Sequence, residues 1–431
     1  NTTINVTNGI NVTAVGGMNI NSTLTSQAGN ITLNTLQGDV KINGALNAGG
    51  DITLGASQGN MNISENVTAG NNITLNTTQG QITLTGNNNL AAVNDISVVG
   101  DNIKLTNTSL SSSQGNITVS GMKGGSQHTG VAMGGNVNLQ ALQGDITVNA
   151  SSSSYGVSSH DPYKGYSKPN DSGGLNFDKG NFTFSAKDTE INASGVYNRG
   201  IQSGLWAGGI IFNPSSNVNF NGNATINASS PKSFGIWYAS QTFGGTLYNF
   251  NVNSGDVVLN TSGSLGGVGF ELSWANYNPL YKVNYNVAGG ASLTINASST
   301  SGSGIGSGSY NNLHFSDPSS AGSGGLAFTG AGNVMVFGSS QSGNGVNSRY
   351  LDNTGLTGNM TVQGTSVSGN GVYVDRNTTY KLKNATITGS SQRGAGIKLS
   401  GTTVRNVDLN GNTLCGTTTS GAAGVSIAGS N

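Results

Sequence analysis

The sequence predicts an all-β chain, a parallel β-helix (solenoid) with inserted loops in its middle section. Three observations predict it. Apolar-x-apolar triplets recur at a fixed period, β-branched Ile, Val and Thr fill them, and the gaps between them hold Gly, Asn and Asp.

The period comes first. The leading residues of successive triplets are Ile31, Val40, Ile52, Met61, Ile73 and Ile82, at alternating intervals of nine and twelve, a repeat of 21. Ile10 falls in phase with Ile31, Ile103 with Ile82 and Ile117 with Ile96, while Val137 and Ile146 repeat the interval of nine. Alternation by two over three to five residues is strand periodicity. Ile, Val and Thr suit a pleated, half-buried surface, and Gly, Asn and Asp suit turns. A strand this short buries nothing alone. A fixed period near 20 residues therefore implies stacked coils about 4.8 Å apart, with apolar columns inside and Thr or Asn ladders outside.

The second half keeps a variant of this grammar. "TINASSPKSFGI" from Thr225, "TINASSTSGSGI" from Thr294, "TVQGTSVSGNGV" from Thr361 and "TITGSSQRGAGI" from Thr386 align. The anchors Ile191, Ile226, Ile295, Val336, Val362 and Ile387 each lie nine residues before a glycine, which predicts a corner whose backbone only Gly can adopt. Anchor spacing is wider between Val148 and Val336 than after it, as inserted loops or paired coils would make it.

Composition sets the remaining bounds. Gly is 69 of 431 residues, charged residues are 8% and the formal net charge is zero, which disfavours nucleic acid as a partner. The regular alternation argues against disorder despite the Gly, Ser, Thr and Asn content. One cysteine, Cys415, excludes an intramolecular disulfide. The chain carries no signal-like opening and no long apolar run, and it starts and stops in mid-pattern, as a piece of a longer protein would.

A step in composition divides the chain into 1–150, 151–320 and 321–431. Residues 1–150 contain no Phe, Trp or Tyr, whereas 151–320 hold 23 of the 28 and all six prolines. Phe182, Phe184, Phe220, Phe250 and Phe270 alternate within strand-like runs and read as core. Trp206, Trp237 and Trp274 fit either exposed contacts or caps on wide coils. Tyr155, Tyr163, Tyr166, Tyr277 and Tyr281 sit among Pro, Gly and charges and read as exposed. Together with Tyr238 they make the candidate contact set, because Tyr and Trp among Ser, Gly and Asn supply rigid contact area in adaptable surroundings. Arg349, Arg376, Lys381, Lys383, Arg393, Lys398 and Arg405 form either a basic stripe or scattered solvated charge.

Signals for chemistry are weak. His128, His160 and His314 lie far apart with no metal-ligand spacing, so no metal or other cofactor is expected. Asp188 and Glu190 share a strand face, the minimum for a polysaccharide-cleaving β-helix, but Lys187 beside them fits a plain solvated strand.

"GNITLNTLQGDVKI" from Gly29, "GGDITLGASQGNMNI" from Gly49, "NNITLNTTQGQITL" from Asn71, "GNITVSG" from Gly115 and "LQGDITVNA" from Leu142 resemble the filamentous-haemagglutinin-type repeats of bacterial two-partner-secretion exoproteins. The likeness covers 1–150 well and 151–431 loosely. Repeats giving way to an aromatic-rich β-helix resemble the receptor-binding region of CdiA-type contact-dependent growth inhibition effectors. That resemblance implies a right-handed β-helix projecting from the outer membrane, exported through an outer-membrane transporter partner. It implies recognition of an outer-membrane β-barrel protein, or lipopolysaccharide, on a neighbouring bacterium, without catalysis. Residues 1–150 would be stalk, 151–320 the receptor-binding region and 321–431 continuing rod. The same repeats occur in host-directed adhesins that bind glycan or matrix, and a passive spacer is the remaining reading.

Overall fold

The computed structural model describes residues 3–122, 129–152, 173–195, 208–213, 215–238, 247–270, 282–307, 325–348, 350–374, 379–401, 407–408 and 411–429. Among them there is no helix, every strand pairing is parallel, and the fold is a parallel β-helix. The chain divides into two compact units, Asn1–Ser194 with Asn219–Ala224, and Gly195–Val218 with Thr225–Asn431. This division does not follow the compositional boundaries.

In the first unit each coil has three faces, formed by separate strands in the earlier coils, while Asn102–Ser112 and Val131–Ala141 each run through the second and third faces as one strand. The first face stacks Ile10–Ala14, Ile31–Thr35, Ile52–Ala56, Ile73–Thr77, Ile96–Gly100, Ile117–Gly121 and Ile146–Ser152. The second stacks Met18–Ile20, Val40–Ile42, Met61–Ile63 and Gln81–Leu84. The third stacks Thr23–Ser26, Leu46–Ala48, Val67–Ala69 and Asn89–Ala92. The 21-residue period is therefore one coil. Ile31, Ile52, Ile73, Ile96, Ile117 and Ile146 form one column, and Leu33, Leu54, Leu75, Val98, Val119 and Val148 a second, all fully buried. Val137 departs from the sequence reading. It pairs with Thr108 and Phe182 on the third face, so its interval of nine to Ile146 leads from third face to first.

The Asn or Asp before each first-face strand from Ile31 onward has a structural duty. The Asn30 side-chain oxygen accepts the Asp51 backbone N–H at 2.8 Å, Asp51 accepts that of Asn72 at 3.1 Å and Asn72 that of Asp95 at 3.0 Å. Asp95 then accepts from Asn116 at 2.7 Å and Asn116 from Asp145 at 2.9 Å. Only a short side chain with an acceptor oxygen can tie one corner to the next in this way. The column alternates Asn with Asp, so no two carboxylates occupy neighbouring coils.

In the second unit the first face stacks Asp256–Gly263, Ser292–Ser299, Asn333–Ser340, Met360–Ser366, Ala385–Ser391 and Thr413–Thr418. The second stacks Gly208–Phe212, Phe234–Tyr238, Gly266–Phe270, Ser303–Ser307, Val346–Asn347, Val372–Val374, Ile397–Gly401 and Val425–Gly429. The third stacks Leu247–Ser254, Lys282–Val287, Gly325–Gly330, Tyr350–Leu356, Thr379–Lys381 and Val407–Asp408. Ile295, Val336, Val362 and Ile387 share one buried column, in the register their common motif predicts. Outward asparagines form ladders: Asn284 donates to Asn249 at 3.2 Å and Asn249 to Asn217 at 2.6 Å, while Asn296 donates to Asn260 and Asn260 to Asn227 at 2.9 and 3.0 Å.

Two rows of interactions shape the corner between the first and second faces. Ser340 Oγ donates to the Gly302 carbonyl at 2.5 Å and accepts the Gly343 N–H at 2.8 Å. Ser366 repeats this with Gly343 and Gly369 at 2.6 and 2.8 Å, and Ser391 with Gly369 and Gly394 at 2.6 and 2.8 Å. Each glycine whose N–H is held by its own serine lends its carbonyl to the serine of the next coil. The glycine nine residues after each anchor is required for a different reason from the one the sequence suggests. Gly345, Gly371 and Gly396 are not among the positive-φ residues. A Cβ on Gly371 would instead lie 2.5 Å from the Gly396 carbonyl oxygen, 2.5 Å from the Ser390 nitrogen and 2.7 Å from the Gly364 oxygen. The coil pinches until backbone meets backbone, and only a residue without a side chain fits.

Candidate functional site

The connection from second face to third is where the second unit departs from regularity. Tyr238, Phe270 and Ser307 stack in register at the ends of second-face strands. Leu247, Lys282 and Gly325 stack in register at the starts of third-face strands. Residues 239–246, 271–281 and 308–324 thus join the same two strand ends in three consecutive coils. In the next coils the equivalent connections are residues 348–349, 375–378 and 402–406. The coils are single, and in these three the extra sequence enters at the vertex between second and third faces, whereas residues 153–172 and 196–207 lead into the second-face strands that begin at Leu175 and Gly208.

The strand ends bordering this vertex are built on aromatic rings. Phe212 and Tyr238 stack at 4.9 Å between centroids and Tyr238 and Phe270 at 5.6 Å, with nearly parallel ring planes in both cases. Tyr285 stacks on Phe328 at 5.5 Å and packs on Phe250 at 5.2 Å. The Tyr238 and Tyr285 hydroxyls share a hydrogen bond of 2.6 Å inside this block. Burial is the main cause that holds the Tyr238 hydroxyl well above the usual tyrosine pKa, with Tyr285 adding to it. Burial likewise raises that of Tyr285, which the bond to Tyr238 partly offsets. Both rings are therefore neutral near pH 7, and the pair is a packing device with no acid–base role there.

Of the nine candidate contact residues, Tyr155, Tyr163, Tyr166, Trp206, Trp274, Tyr277 and Tyr281 lie outside the described residues. The other two are corrected. Trp237 is 1% exposed and Tyr238 3% exposed, so neither offers a surface to a partner. Trp237 packs with Ile211 and Phe234 in a buried apolar cluster, its ring 4.6 Å from that of Phe234. Gly269 makes room for Phe234: a Cβ there would fall 2.3 Å from the Phe234 ring. The phenylalanines read as core are core, Phe182, Phe184, Phe220, Phe250 and Phe270 being no more than 2% exposed. Every aromatic residue described between 173 and 307 is buried. In the described coils, then, the aromatic step reflects larger core side chains, and it does not by itself mark a contact surface.

The chemistry-bearing residues are dispersed. Asp188 accepts from Asn223 at 3.0 Å and Glu190 from Asn192 at 3.1 Å, so both exposed carboxylates belong to the asparagine ladders. Among the described residues no three His, Cys, Asp or Glu side chains are grouped to hold a metal. His128, His160 and His314 lie outside those residues, and Cys415 is exposed and free. Lys381, Lys383 and Arg393 are exposed, and Lys398 sets its Nζ 6.0 Å over the Tyr373 ring. Arg349, Arg376 and Arg405 fall outside the described residues.

The second unit also carries an open groove of about 840 Å³ beside the serine corner. Ser262, Ser298, Ser339, Thr365, Ser390 and Thr417, paired in register on successive coils, line one side. Sequence reading passed over it because Ser-Ser-x-x-Gly resembles ordinary linker. The signal was its recurrence at a fixed distance after each anchor. Comparison with family models, with curated proteins and with solved structures finds no match to this chain.

Proposed function

We propose that the chain is a non-enzymatic, cell-surface recognition segment of a contact-dependent growth inhibition exoprotein, binding an outer-membrane protein on neighbouring bacteria. The observation that carries this reading is the vertex of the second unit. Three consecutive coils, and not the three that follow, lengthen between the same two strand columns. Function concentrates on extra segments that a rigid scaffold positions, and coil stacking sets the strand ends that flank these about 4.8 Å apart. Residues 271–281 hold Trp274, Tyr277 and Tyr281, the mixture of large rings with Ser, Asn and Pro that contact loops use. The repeat phrase of residues 29–150, with its likeness to exported filamentous exoproteins, supplies the surface setting and the outer-membrane transporter for export.

The test replaces 239–246, 271–281 and 308–324 with short connections copied from residues 375–378, leaving every strand in place. Binding to target bacteria is expected to disappear while the melting profile persists. A folded variant that binds target cells as well as the parent would refute the assignment.

A further inference from the structure

The geometry points to a second binding surface, independent of the recognition proposed above: the groove beside the serine corner is a site for a neutral polysaccharide chain lying across the coils. Its lining is uniform in chemistry. Ser298, Ser339, Thr365 and Ser390 are half-buried on one side, and Thr300, Gln341 and Gln392 are exposed on the other. Between them the buried Ser299, Ser340, Ser366 and Ser391 are occupied by the corner ladder.

What the groove lacks narrows the ligand. None of its lining residues is charged or aromatic, so it offers no counter-charge to phosphate, sulfate, carboxylate or a metal ion. Pro231 and Val367 are its only lining side chains without a polar atom, apart from Gly263 which has no side chain, so an acyl chain or an apolar helix finds no continuous surface. The backbone at its floor is already committed. Gln341, Val367, Gln392 and Thr419 each donate their N–H to the carbonyl of the corner serine on the preceding coil, at 3.0–3.2 Å. A peptide strand therefore has no free ladder edge to extend.

What remains is a row of side-chain hydroxyls and amides, each able to donate and accept, repeated about every 4.8 Å by the coil spacing. A polymer of neutral sugars presents hydroxyls of the same dual character all along its length.

The experiment presents the intact chain to immobilised dextran, mannan and galactan, with heparin and polygalacturonate as charged comparators, at low and high salt. Retention on at least one neutral polymer, unaffected by salt, is expected. Gln341→Ala with Gln392→Ala should weaken it at least tenfold, and Thr365→Trp, which fills the groove from its wall, should abolish it without changing the thermal melt. Should Thr365→Trp shift the melt, the double glutamine variant decides alone. Failure to bind any neutral polymer, binding only to the charged ones, or retention indifferent to the substitutions would overturn the proposal. Binding to target bacteria through the lengthened vertex does not depend on any of these outcomes.

Discussion

Replacing Ser366 with alanine removes one oxygen and should cost far more than its size suggests. Ser366 is 6% exposed, and its hydroxyl donates to the Gly343 carbonyl while accepting the Gly369 N–H. Alanine leaves a backbone donor and a backbone acceptor unpaired at the corner. Each unpaired buried group costs about 1–3 kcal/mol, and partial access to water at the corner lowers the sum, so a loss of about 2–4 kcal/mol is expected. The chain provides its own control. Thr418 occupies the equivalent place in the last stacked coil and donates to the Gly394 carbonyl at 3.2 Å, so Ser366→Thr should stay within about 1 kcal/mol of the parent. The neighbouring Thr365→Ala, on the groove wall, should be nearly silent for stability. The assay is denaturant unfolding of the three variants, with hydrogen exchange at Gly369. Stacked coils unfold in segments, and exchange places the loss locally. A Ser366→Ala variant within about 0.5 kcal/mol of the parent, with Gly369 still protected, would refute the ladder as a source of stability.

Three other perturbations test separate parts of the fold. Asn72→Asp puts carboxylates on three neighbouring coils, the introduced one lying between Asp51 and Asp95. At about 4.8 Å in water each new pair repels by about 0.9 kcal/mol, so stability should fall by about 1–2 kcal/mol at low salt and recover at high salt; insensitivity to salt would contradict the alternation argument. Tyr238 and Tyr285 have folded pKa values raised above the unfolded value near 10, so their stabilisation is complete below pH 10 and is lost as pH rises toward the folded values. The second unit should lose about 1.4 kcal/mol per pH unit for each tyrosine above pH 10, and Tyr285→Phe should flatten that slope in a pH series of melts; an unchanged slope would place the ring in water. Trp237→Ala should destabilise the second unit by about 3–5 kcal/mol, and a midpoint equal to that of the parent would mean the ring is outside the core.

The parts of the fold that repeat were readable in the sequence. Ile31, Ile52 and Ile73 announce their column because equal spacing forces equal register. The third strand of each coil was harder to see, because Leu46–Ala48 contributes one large apolar residue among small ones and leaves little periodic trace. Corner chemistry was hidden for another reason. Asn30 and Ser366 look like ordinary turn residues until the next coil is placed beneath them, and only then do their oxygens meet the backbone they hold. Trp237 shows how local context misleads. It lies in "FGIWY", a continuous apolar run that signals burial on both faces of a strand, yet its nearness to loop-like sequence argued for exposure. The lengthened vertex was legible only as wider anchor spacing. Stacking of Tyr238 over Phe270 and of Leu247 over Lys282 is what assigns residues 239–246 and 271–281 to one place on successive coils.

Recognition of a bacterial surface protein is the central claim, and a binding screen against target strains addresses it most directly. The fluorescent chain would be incubated with a set of target strains, each lacking one outer-membrane protein, and cell-bound signal measured by flow cytometry. The account predicts strong binding to the parent strain, its loss in a strain lacking a single outer-membrane protein, and its return when that protein is restored. Equal binding to every strain, or attachment to epithelial cells with none to bacteria, would contradict it.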